Sequence, residues 1–126
     1  MGGRRNLDGF DLMLSAEDIL SSKDDSLEKV SVPEWGGDVF VRTMTGGERD
    51  SWELYASKQM ERANNVNIRA KLACLCLCDE NGKRLFGDGQ VDALGKKSAK
   101  ALDRVYSAAL ELNKLTDEDI EQLEKN

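Results

Sequence analysis

The chain has 126 residues, of which 40% are hydrophobic and 33% charged, with a net charge of −6, a single proline and no histidine. That length fits one domain with a modest core, and the negative balance works against a phosphate-backbone partner such as duplex DNA or RNA. The lack of histidine removes the commonest general base and the commonest zinc ligand, and no apolar run approaches the roughly 20 residues a membrane helix requires.

Residues 1–12 read as a dispensable extension or upstream remnant, because Met13 is an equally good start. Met1-Gly2-Gly3-Arg4-Arg5 begins like a basic leader but no hydrophobic stretch follows, and Asn6 stands where a myristoylation signal needs Ser or Thr. Ser15 is placed to cap a short helix with Asp18 near its positive end and Ile19 and Leu20 as an apolar edge. A hairpin is predicted next. Val30 and Val32 alternate with Lys29 and Ser31, Val39 and Val41 alternate with Phe40 and Arg42, and Gly36-Gly37 gives the turn its backbone freedom. Pro33 cannot donate to a ladder and belongs at the strand end.

Thr45-Gly46-Gly47-Glu48 is a capping box for a helix predicted to run to about Ala63, with Trp52, Tyr55, Ala56, Gln59 and Ala63 on one face. The stretch after Asn64-Asn65 reads as either helix or strand up to residue 72. A strand is favoured from about Leu72 to Cys78, paired with Arg84 to Phe86 across the Asp79-Glu80-Asn81-Gly82 turn, whose Asn-Gly pair is the best local warrant for the hairpin. Further on, Asp88 is expected to cap a short helix through Val91 and Leu94, ended by Gly95. Ser98 starts a longer helix with Leu102, Val105, Tyr106, Ala109 and Leu110 on one stripe, closed by Asn113, and Thr116 caps a final acidic helix anchored by Ile120 and Leu123. The predicted fold is α+β, a mostly helical single domain over residues 13–126 with one or two small antiparallel β-hairpins.

No catalytic, cofactor or metal residues are predicted. Cys74, Cys76 and Cys78 would line one face of a strand, but nothing completes a tetrahedron, and without histidine a thiol has no activating base. They read as buried small hydrophobes in a reducing compartment. A calcium loop starting at Asp79 fails, since Arg84 and Gln90 occupy its glycine and glutamate positions. A phosphate loop from Gly89 fails on its spacing to Gly95-Lys96. Lys96, Lys97, Lys100 and Arg104 form a basic strip, either a solvated helix face or a surface for an acidic partner. Candidate partner-binding residues are Trp35, at a loop where aromatics anchor contacts, and Leu102, Val105, Tyr106 and Leu110 of the last long stripe. The cysteine strand is a further candidate contact.

The order of several segments resembles the tail assembly chaperones of long-tailed, siphovirus-type bacteriophages or prophages. The matching pieces are Val30-Ser31-Val32-Pro33-Glu34-Trp35-Gly36-Gly37, Val39-Phe40-Val41-Arg42, Thr45-Gly46-Gly47-Glu48-Arg49-Asp50 and Asn67-Ile68-Arg69-Ala70-Lys71-Leu72. Asp79-Glu80-Asn81-Gly82-Lys83-Arg84-Leu85-Phe86 and Leu112-Asn113-Lys114-Leu115 complete the series. The resemblance implies a non-enzymatic protein of the host cytoplasm, absent from the finished virion, that binds the tape measure protein until tail tube subunits replace it. It also implies a longer product, made by ribosomal frameshifting, that recruits the tube protein. Self-association along the client would suit that role. The alternatives are a structural tail or head–tail joining protein and a small regulatory protein-binding module.

Overall fold

The computed structural model describes residues 13–61 and 67–115. The predicted final helix from Thr116, the expected end of the second helix at Ala63 and the residues before Met13 lie outside them. Helix α1 (Ala16–Ser21) starts as its sequence requires. Ser15 Oγ accepts from the Asp18 amide at 3.1 Å, and Asp18 Oδ2 accepts from the Ser15 amide at 2.9 Å. No residue of α1 is buried, so local capping rather than packing defines it.

The hairpin forms where valine alternation placed it. Strands β1 (Leu27–Val32) and β2 (Gly37–Arg42) pair antiparallel with Val30 opposite Val39, and Val32 and Val41 are fully buried. Pro33–Trp35 forms a single 3₁₀ turn between them, and Gly36 closes it at φ 77°, a conformation costly for any residue with a Cβ. Helix α2 (Gly46–Glu61) follows, with the full capping box in place: Thr45 Oγ1 accepts from the Glu48 amide and Glu48 Oε1 from the Thr45 amide. Trp52 and Ala56 are its buried face.

The segment expected as a cysteine strand is instead mostly helix, and this is the main correction. Helix α3 (Ile68–Cys76) leads into β3, which is only Leu77–Cys78. Every residue of α3 except Arg69 is buried, and it packs against α2, α4, α5 and β2. A helix buried on nearly every face, with Lys71 enclosed as well, has no periodic stripe to betray it, and at this length it matches a buried strand. Alanine and leucine at residues 70, 72, 73 and 75 carry the helical preference that prevails. The predicted hairpin survives in reduced form: β3 pairs with β2, Cys78 bridges Arg84, and the Leu85 amide donates to the Leu77 carbonyl at 3.0 Å. Gly82 at φ 83° and Asp79 Oδ1, which accepts from the Asn81 and Lys83 amides, shape that turn. The sheet order is β1-β2-β3.

A 3₁₀ turn (Asp88–Gln90) then leads into α4 (Val91–Gly95). Gly87 rather than Asp88 is its cap, with the Gly87 amide donating to Gln90 Oε1 at 2.8 Å, because Asp88 is engaged with Arg84 at 2.9 Å. Helix α5 (Ala99–Leu112) begins on Ser98, whose Oγ accepts from the Ala101 amide, and ends at Asn113 as predicted. It packs against α3 and against β1 and β2, so one core joins the sheet to the helices. Asn113 ties that corner together: its Oδ1 accepts from the Met44 amide at 2.7 Å, and its Nδ2 donates to the Ala109 carbonyl at 2.9 Å.

Candidate functional site

The α5 stripe is real, and it faces largely inward. Val105 is fully buried and Leu102 nearly so, while Tyr106 and Leu110 are half-buried along the helix edge. Tyr106 meets Trp52 of α2 edge to face, with ring centroids 6.4 Å apart. Trp35 is half-buried and folds back on the core from the β1–β2 turn. The same turn is clamped to α5 by Arg104, which donates from Nε and Nη2 to the two Glu34 oxygens at 2.8 and 3.1 Å. That hydrogen bond holds the Glu34 carboxyl below its ordinary range.

Two of the candidate residues, Leu102 and Tyr106, line an open cavity of about 310 Å³. Its other walls are the start of α3 from Asn67 to Ala70, together with Gly95, Lys97 and Ala99 around the α4–α5 connection. Trp35, Val105 and Leu110 do not line it. Sequence periodicity finds a stripe but not a cavity, because a cavity needs the ends of separate helices to converge. Ile68 and Arg69 carried no local signal of their part in it, whereas Lys97 was visible as part of the basic strip.

The convergence has a specific cause. Asn67 adopts φ 67°, turning the chain sharply into α3, and its Nδ2 donates to Asp92 Oδ1 of α4 at 2.9 Å. Gly95 leaves room for the Asn67 side chain: a Cβ there would lie 2.1 Å from Asn67 Oδ1. Around the cavity Arg69 pairs with Asp103 at 2.7 Å, whereas Lys96 and Lys97 have no ion-pair partner among the described residues.

The thiols offer no second site. Cys74 and Cys76 sit on α3 two residues apart, hence about 200° around the helix from one another, and only Cys78 lies on a strand. Burial pushes all three thiols up, Cys76 to about 12, so they remain protonated and poorly nucleophilic at neutral pH. Residues 72–78 are all buried, so the cysteine segment, unlike the first turn of α3, presents no surface to a client. Among the described residues no three His, Cys, Asp or Glu side chains gather into a metal-ligand set, and no helix is long and apolar enough to cross a membrane.

The family model described as phage tail assembly chaperone matches residues 17–126. The chain belongs to the phage tail assembly chaperone family. Among solved structures, the chaperone is similar to the tail assembly chaperone of bacteriophage HK97. The two share 21% identity over 80% of this chain and 95% of that one, with a TM-score of 0.58, and hence a fold. No curated protein matches the chain. The chaperone also carries apolar side chains outside its core: on and beside α1, Met13 is 82% and Leu20 86% exposed, with Leu14 and Ile19 also open.

Proposed function

We propose that this chaperone binds the tape measure protein in the host cytoplasm, keeps it soluble, and yields it to tail tube subunits during tail assembly. A longer frameshifted product recruits the tube protein, and neither form stays in the virion. The family match over residues 17–126 carries this reading. It is supported by a body one-third charged that still exposes separate apolar features, namely the α1 side chains and the cavity beside Tyr106. A client whose apolar helix faces would otherwise aggregate needs such weak, distributed apolar contacts on a well-solvated carrier. The chaperone acts by holding a polypeptide, with no bond made or broken.

Co-expression tests the proposal. Tape measure protein made with the chaperone should stay in the soluble fraction and co-purify with it, and equal insolubility with and without the chaperone would count against the reading. Mass spectrometry of purified virions should find no chaperone. Its stoichiometric presence would mark a structural tail component instead.

A further inference from the structure

We propose that the cavity between α3 and α5 is the docking site for an acidic, amphipathic helical segment of the client tail protein. An aliphatic or aromatic side chain of that segment enters the cavity while flanking carboxylates meet Lys96, Lys97 and Lys100. This assigns a partner chemistry to the client-binding reading above and rests on it.

The inner surface sets the first requirement. Ile68, Ala70, Leu102 and Tyr106 give it an apolar side beside the polar Asn67, Arg69 and Lys97, and about 310 Å³ accommodates one or two large side chains, near the lower end for a binding cavity. The rim sets the second. Lys97 is in the wall, Lys96 precedes it in the α4–α5 connection, Lys100 follows in the first turn of α5 where its charge also acts on Glu34, and all three are exposed. Arg69 is neutralised by Asp103 and Arg104 by Glu34, and Asp92 beside Asn67 offsets one cation, so the three lysines still leave a local positive excess. On a chain of net charge −6 this excess runs against the overall field, which makes it a selective patch. A small anion does not satisfy such a site, because the cations are solvated lysines rather than buried donors, and an anion would leave the apolar floor wet. A nucleic acid would meet the repulsion of the remaining surface.

An open cleft where helix ends meet suits the helix-in-groove mode, in which residues one turn apart alternate between pocket and rim. The chain's own α1 places Ile19 and Leu20 beside Glu17 and Asp18, so a second copy is the competing occupant. At six residues α1 is too short to present anchors on successive turns, which favours a longer client helix.

The test uses two synthetic amphipathic peptides of about 18 residues with one apolar face in common, flanked by glutamate in one and by lysine in the other. Binding to the full chain is followed by fluorescence anisotropy at low and high salt. The overall charge alone predicts preference for the lysine peptide. The proposed site predicts that the glutamate peptide binds roughly tenfold tighter, with the advantage shrinking as salt rises. Lys97→Glu combined with Lys100→Glu should abolish or invert the preference, whereas Lys29→Glu on the sheet should leave it. Both altered lysines are exposed, Lys97 just before the Ser98 cap and Lys100 in the first turn of α5, where acidic side chains are favourable, so the variant is expected to keep wild-type circular dichroism. Equal binding, or preference for the lysine peptide, overturns the site.

Co-expression then separates the two levels. If wild type fails to solubilise tape measure protein while the glutamate-peptide preference holds, the client reading fails and the site stands. If wild type and the double variant solubilise it equally, the site assignment fails and the client reading stands. Loss of self-association in the double variant, with client solubilisation intact, assigns the cavity to a second copy and overturns the proposal.

Discussion

Arg42 at the end of β2 and Glu48 in the first turn of α2 form a two-pronged ion pair, with Nη1 donating to Oε1 at 3.0 Å and Nη2 to Oε2. Their side chains are only 10% and 21% exposed, so the pair operates in reduced dielectric. The same Oε1 accepts the Thr45 amide, so Glu48 caps α2 and neutralises a buried cation at once. Glu48→Ala removes both roles and should cost about 2–3 kcal/mol in chemical denaturation, since Arg42 is left buried and unpaired. Glu48→Gln keeps an acceptor for the Thr45 amide and should cost roughly half as much.

The pair also gives the protein an acid limb. Burial pushes the Glu48 carboxyl up, but hydrogen bonds from Arg42 and the Thr45 amide outweigh it and hold the group below its ordinary 4.5. A depressed carboxylate contributes stability that is present above its unfolded value and is lost as pH falls through its folded one. Stability should therefore fall as pH drops below about 4.5, and the fall should be shallower in Glu48→Gln. Urea midpoints measured between pH 6 and 3 check both statements.

Gly95 and Asn67 are fitted to one another, and their coupling is measurable. Gly95→Ala gains helix propensity of about 1 kcal/mol yet drives a Cβ into Asn67 Oδ1, breaking the Asn67–Asp92 bond that shapes the cavity. The net effect should be destabilisation of about 1 kcal/mol. Adding Asn67→Gly removes the obstructing side chain and suits the positive φ at that position, so it should restore stability. A double-mutant cycle should yield a coupling of about 1 kcal/mol or more, whereas independent sites would simply add.

The cysteine segment holds the one large disagreement between sequence and structure, although both readings bury its thiols. Capping residues and strict alternation are local signals, which is why Ser15, Thr45, Ser98 and the valine-alternating hairpin were legible in the chain itself, though not its register. Helix α3 was not, because its neighbours rather than its own pattern cover every residue but Arg69. The cavity was unreadable for a related reason: Ile68, Gly95 and Tyr106 meet only after three helices are placed. With all three thiols buried, a disulfide-exchange reagent should leave the native protein unlabelled and react fully in denaturant. The Cys76 thiol is held protonated up to about 12, against an ordinary value of 9.0. Its contribution is thus intact below pH 9 and lost as pH rises from there towards 12, and a Cys76→Ala variant should show a flatter alkaline limb.

Helix α5 ends in a motif whose usual residue is missing. The Leu115 amide donates to the Leu110 carbonyl at 2.8 Å and the Lys114 amide to the Glu111 carbonyl at 3.2 Å, with Leu115 buried beneath, which is a Schellman ending. It requires a left-handed residue at position 114, and the chain places Lys114 there at φ 57° where glycine is preferred. Lys114→Gly relieves the Cβ crowding, at the cost of some unfolded-state entropy and of a cation near the negative helix end. The balance should stabilise the protein by about 0.5 kcal/mol, read as a raised denaturation midpoint with an unchanged slope. A β-branched replacement, Lys114→Val, tightens the same clash and should destabilise by about 1 kcal/mol or more. If the two variants shift stability in the same direction, the left-handed ending of α5 is not the conformation the protein adopts.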